Sequence, residues 1–159
     1  MPEVAVGTKS VSPLPDHRRE PSVFYRRMER KLGAHGLNSD SDLARLVEDR
    51  LPLTSVESLS TNGLTDEEIY SYILPRRTLV HRKSKHEPLT HDESDRAVRI
   101  ARITSLAEEV FGDDAKAGRW LRKVKERFAG RTPMEVMRTE AGARLVEEML
   151  LQLDYGIFA

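Results

Sequence analysis

Cysteine is absent from the chain, which excludes a disulfide framework, a thiolate nucleophile and any zinc site built on thiolates. Aromatic residues make up only 6% of the sequence, which suits modest hydrophobic cores and argues against a large β-sandwich or an α/β enzyme core. No apolar run approaches a signal-peptide core or a transmembrane helix, so a cytoplasmic protein without a membrane partner is expected. Charge of one sign is not in excess either: 26 Lys and Arg balance 26 Asp and Glu. Whole-molecule charge therefore points to no partner, and only local clusters inform. No phosphate-cradling glycine loop, nucleophile elbow or paired-carboxylate framework is present, so neither an enzyme nor a cofactor site is expected. His86, His91, Asp92 and Glu93 lie close together in sequence, but their spacing fits no ligand pattern such as H-E-x-x-H. No metal site is expected.

What is there is helical. Ser or Thr followed three residues later by Glu lets the two side chains satisfy orphan N–H groups at a helix start. Thr54–Glu57, Thr65–Glu68, Thr90–Glu93 and Thr132–Glu135 all have this form, and Pro133 sits where a first helical residue needs no N–H. Each is followed by apolar residues at helical spacing, which predicts an all-α fold. After Thr90, Ile100, Ile103, Ala107, Val110 and Phe111 line one face up to a stop at Gly112. Ala117, Trp120, Leu121, Val124 and Phe128 predict a further helix ended by Gly130. A last helix from about Glu140 is expected to bury Leu145, Val146, Met149, Leu150 and Leu153, with Leu151 outside the stripe.

The composition divides the 159 residues into four stretches. Residues 1–21 mix Pro, Ser and charge without periodicity and read as a flexible lead-in. Residues 22–52 hold two short amphipathic helices, one with Phe24, Met28 and Leu32 on a side and ending at Gly33, the other carrying Leu43, Leu46 and Val47. Residues 53–88 hold three short helices, and residues 89–159 a set of longer ones.

The third short helix is cationic. Pro75 breaks the chain, a helix starts at Arg76, Leu79 packs inward, and Arg76, Arg77, Thr78, His81, Arg82, Lys83 and Lys85 mostly remain outside. The helix before it carries Asp66, Glu67 and Glu68. One bracing helix followed by one basic helix is the layout of a helix-turn-helix. An arginine at the entering end pairs with guanine O6 and N7, and flanking cations neutralise phosphates. The alternative is a solvated helix face, which is what most charge runs are.

The same residues carry a resemblance. "PRRTLVHRK", "LTHDESDRAVRIARITSLAEEVFGD", "AGRWL" and "TPMEVMRTEAGARLVEEML" followed by "YG" are similar to the Xre/MbcA/ParS antitoxins of bacterial RES–Xre toxin–antitoxin pairs, over about residues 54–159. The resemblance implies an Xre-like helix-turn-helix domain and a C-terminal toxin-binding and dimerising domain. It also implies a RES-domain toxin that destroys NAD, neutralised by covering its active site, operator DNA bound for autoregulation, and a homodimer within a larger complex. One departure stands out. Relatives usually place a small residue in the turn before the recognition helix, as in "LGIPRRT", where this chain has Ile73 in "YILPRRT". A β-branched residue does not readily take positive φ, so this turn must be built differently.

The final residues follow from that reading. "QLDYGIFA" holds no charged side chain beyond Asp154. Tyr155 and Phe158 are the right size for the ring space of a NAD pocket, Gly156 permits a bend, Ile157 adds apolar surface, and the carboxylate of Ala159 suits a pocket arginine. Met149 and Leu151 are further toxin-contact candidates. The alternatives are that the tail folds back on its own helices and that the chain is a stand-alone regulator whose C-terminal helices only dimerise. Arg96, Arg99 and Arg102 are candidates for contact with the toxin or DNA, but read first as surface support, through Asp92–Arg96 and Asp95–Arg99.

Overall fold

The computed structural model describes residues 22–156. The expected lead-in over residues 1–21 lies outside them, as do Ile157, Phe158 and Ala159. Among the described residues the chain is all-α. The helices are α1 (Val23–Leu32), α2 (Asp40–Glu48), α3 (Thr54–Thr61), α4 (Asp66–Tyr72), α5 (Arg76–Lys85), α6 (His91–Phe111), α7 (Asp114–Leu121), α8 (Pro133–Val136) and α9 (Glu140–Asp154), with a 3-10 turn at Glu126–Phe128.

Local chemistry sets most of the boundaries. Ser22 and Ser39 cap α1 and α2, and Gly33, at φ 61°, closes α1 in a left-handed conformation. Thr65, Thr90 and Thr132 each form the reciprocal capping box that their spacing implies. Thr54 does not. It is already helical, Leu53 takes the cap position without a side-chain bond, and the carbonyls of Pro52 and Leu53 accept the N–H groups of Ser55 and Val56 instead. With backbone partners in place, the Thr54 hydroxyl is not needed there.

Helix α6 is the axis of the molecule. It packs against α1, α2, α7 and α9, and is buried nearly all round, with Ala97, Val98, Ala101 and Thr104 enclosed as well as Ile100, Ile103 and Ala107. Val110 and Phe111 are only half-buried. Burial therefore extends beyond the single apolar face expected from spacing, because four helices pack on α6 and cover its small residues too. Met28 and Leu32 of α1 join this core, as do Val56 and Leu59 of α3.

Two expected stripes differ from what is observed. The helix after Asp113 ends at Leu121. The chain then leaves it, Val124 is 59% exposed, and Ala129 and Gly130, both at positive φ, close a turn in which the Lys125 N–H bonds the Arg131 carbonyl. Arg122, at the break, is held across the molecule by Glu68 and the Gly63 carbonyl, which anchors the chain where the helix stops. In α9, Ala143, Val146 and Leu150 form the buried stripe, while Leu145 is 53% exposed and Met149 and Leu153 are half-buried. Leu145 is about 100° round the helix from Val146, enough to turn it off a narrow face.

The hydrophobic core is continuous from α1 to α9. Leu89 is fully buried and its N–H donates to the Leu51 carbonyl, while the Ser94 hydroxyl accepts from the Leu51 N–H. The three short helices thus share their core with α6.

Candidate DNA-facing and toxin-facing sites

Helices α4 and α5 meet in a turn with no left-handed residue. Ile73 ends α4 at φ −109°, and Pro75 precedes α5 in an extended conformation. The Ile73 and Leu74 N–H groups both return to the Ile69 carbonyl. Ile73 and Leu74 are buried, so a β-branched residue serves the turn by anchoring it in the core rather than by bending backwards.

Leu79 fixes α5 to the core. Arg76, Arg77, His81, Lys83 and Lys85 are exposed, and Thr78 is half-buried. Among the described residues, Arg76 and Arg77 have no carboxylate within ion-pair distance, whereas Lys83 lies 3.5 Å from Glu57. Arg82 is placed differently from its neighbours. Its guanidinium turns inward to the Pro88 carbonyl at 3.2 Å and the Glu93 carboxylate at 3.1 Å, which ties the end of α5 to the start of α6. Val80, at 60% exposure, stands among the cations. It was not singled out from sequence, although a lone β-branched residue in a polar helix is a detectable signal.

The cationic helix is held from behind by charged braces. Arg122 grips Glu68 of α4 through two bonds of 2.7 and 2.9 Å and the Gly63 carbonyl at 2.9 Å. Burial works against ionising Glu68, but the Arg122 guanidinium and the Thr65 N–H prevail and hold its carboxyl below the ordinary glutamate value. Arg96 donates to the Ile73 carbonyl at 3.0 Å rather than pairing with Asp92. Arg99 does pair with Asp95, and it reaches further, to Glu140 and the Arg138 carbonyl. Arg102 bonds Glu147 at 2.7 Å. These arginines therefore join α6 to the turn and to α9. Deeper in, Lys31 and Glu108 form a buried pair at 2.6 Å that also engages Arg27 and the Asn62 carbonyl.

At the far end of α9, Leu151 and Tyr155 lie four residues apart on one face, 39% and 74% exposed. Gly156 follows at φ 64°, a conformation a side chain would strain. Met149 is half-buried and packs on the core, so it stands apart from the Leu151–Tyr155 face. Arg127 bonds Gln152 at 2.7 Å and brings the 3-10 turn alongside this end of the helix. Beside the base of α9, a cleft of about 500 Å³ opens between α1, α2 and α6, with Phe24, Leu43, Val47, Val98 and Leu106 in its lining and Glu109, Glu140 and Glu147 among its charged groups.

Comparisons with known proteins find matches to both halves of the chain. Residues 42–102 match the antitoxin Xre-like helix-turn-helix domain, and residues 106–156 match the antitoxin Xre/MbcA/ParS C-terminal toxin-binding domain. An Antitoxin Xre of Pseudomonas putida is 43% identical over 133 residues, 84% of each chain. The chain belongs to the Xre antitoxin family. An Antitoxin Xre of Photorhabdus laumondii is 30% identical over 124 residues, 76% of this chain and 83% of its own. One of Yersinia enterocolitica is 31% identical over 87 residues, 54% of this chain and 59% of its own. The protein is thus an antitoxin with a DNA-binding and a toxin-binding domain, not an enzyme. The first matched segment ends and the second begins within α6, so one helix serves both. Among the described residues no helix is long and apolar enough to cross a membrane.

Proposed function

We propose that this antitoxin neutralises a RES-domain, NAD-degrading toxin by seating residues 149–159 over the toxin's active site, and that it binds its own operator to autoregulate the operon. The supporting observation for neutralisation is the face of Leu151 and Tyr155, apolar surface that the chain leaves unspent at the end of its toxin-binding domain. Burying one such side chain contributes about 1.5–3 kcal/mol, so Leu151, Tyr155 and Phe158 together suffice for tight inhibition. Met149 acts from behind, as support for that face. The protein works in the cytoplasm as a homodimer, since a helix-turn-helix protein reads paired half-sites. Residues 53–88 form the DNA-reading unit and residues 89–159 the toxin-binding and dimerising one.

On the DNA side, Arg76 and Arg77 enter the major groove first, with Thr78 and His81 behind them and Lys83 and Lys85 on phosphates. Arg82 contributes by holding α5 in place, and Val80 is suited to a thymine methyl. Charge reversal at Arg76 and Arg77 separates the two roles. With both changed to Glu, binding to a duplex from upstream of the gene should be lost, while inhibition of NAD loss by the RES-domain toxin stays at the wild-type level. Wild-type binding should also weaken steeply with salt, by about 0.9 in log–log slope per phosphate contact. Unchanged DNA binding in the double variant contradicts the assignment of α5.

A further inference from the structure

A recess of about 310 Å³ opens beside the α4–α5 turn. Its lining includes Tyr70, Ser71, Tyr72, Pro75, Arg96 and Arg138, and no carboxylate. Two guanidinium groups, a serine hydroxyl and two phenols make a set rich in hydrogen-bond donors, which suits an anionic oxygen cluster. Arg96 spends one N–H on the Ile73 carbonyl, which fixes the guanidinium and leaves its other donors unspent. Arg138 is exposed and lies 5.7 Å above the Tyr72 ring, a contact that orients it without neutralising it. The nearby Glu135 carboxylate is occupied by the Thr132 N–H at 2.8 Å. Arg96 and Arg138 also border a neighbouring recess that holds Asp92, Asp95 and Arg99, where Asp95 is paired to Arg99.

The position matters as much as the chemistry. Pro75 is both a wall of the recess and the residue that starts α5, so an anion here lies next to Arg76 and Arg77. A duplex whose bases meet the first turn of α5 carries its backbone past this point. Arg138 comes from the toxin-binding segment, immediately before the Thr139 cap of α9.

We infer that this recess seats a backbone phosphate of the bound duplex, gripped by Arg96 and Arg138, so that the toxin-binding domain itself contributes a DNA contact. The inference rests on the DNA-binding reading above. A phosphate contact carries no base information, so removing it weakens all sequences alike. In the full chain, Arg138→Gln should reduce affinity by the same factor for a duplex from upstream of the gene and for a random duplex of equal length. It should also lower the log–log salt slope by about 0.9. Arg138→Lys should recover the slope, and Ser71→Asp, which places a carboxylate in the recess, should weaken both duplexes further. Thermal melts of all variants check that the fold is intact. A wild-type protein that binds DNA steeply while Arg138→Gln keeps the wild-type slope overturns the inference and leaves the reading of α5 standing. A wild-type protein with no salt-dependent binding overturns both. A loss of toxin inhibition without any change on DNA assigns the recess to the protein partner instead and also overturns the inference.

Discussion

Gly142 shows what the signature residues of this chain do. A Cβ there would overlap the Val136 carbonyl and crowd the Thr139 hydroxyl, whose oxygen accepts the Gly142 N–H at 3.0 Å. Thr132 and Pro133 start α8 and Thr139 starts α9, so the pattern "TP" to "T..G" builds one tight corner. The "ESDR" segment behaves likewise: Glu93 pairs Arg82, Ser94 accepts from Leu51, Asp95 pairs Arg99 and Arg96 holds the turn. In "VFGD", Gly112 closes α6 in a left-handed conformation and Asp113 caps α7. These residues fix the joins between helices. Gly142→Ala should therefore destabilise the fold by about 1–3 kcal/mol through overpacking against backbone. The reading is a lowered urea midpoint at unchanged slope, and an unchanged midpoint would mean that the corner relaxes freely.

At the scale of helices, the first turn of the bracing helix α4 is tied to a distant cation. Glu68 both closes the capping box and receives Arg122. Its folded-state pKa lies below the ordinary value of 4.5, so its contribution to stability is complete above that value and is lost as pH falls through the lower folded value. Glu68→Gln should consequently lower the melting temperature at pH 7, and the gap from wild type should narrow as the pH falls below the ordinary glutamate value of 4.5. A gap that stays constant with pH would remove the ion pair from the account. The capping boxes at Thr65, Thr90 and Thr132 were legible because their cause is local, two side chains and two N–H groups within four residues. Thr54 carries the same letters, but backbone carbonyls upstream had already met the need. The early end of α7 was not legible, because its partner, Glu68, lies 54 positions away.

At the scale of the molecule, α6 carries both functions on one rod, braced by Arg96 to the recognition turn and by Arg99 and Arg102 to α9. Its length and capping could be read directly, whereas its burial on several sides could not, since that depends on which helices return to it. The cationic face of α5 was visible as a charge run. That Arg82 would turn inward was not, because Glu93 and the Pro88 carbonyl reach it only after the chain has turned at His86. Of the apolar end expected from sequence, Leu151 and Tyr155 are exposed, while Ile157, Phe158 and Ala159 lie outside the described residues. The most direct test measures NAD loss by the proposed RES-domain toxin titrated with the full chain and with a chain lacking residues 155–159. The account predicts that the shortened chain inhibits far more weakly while its melting temperature barely moves. Full inhibition by the shortened chain, or a large fall in its melting temperature, would contradict it.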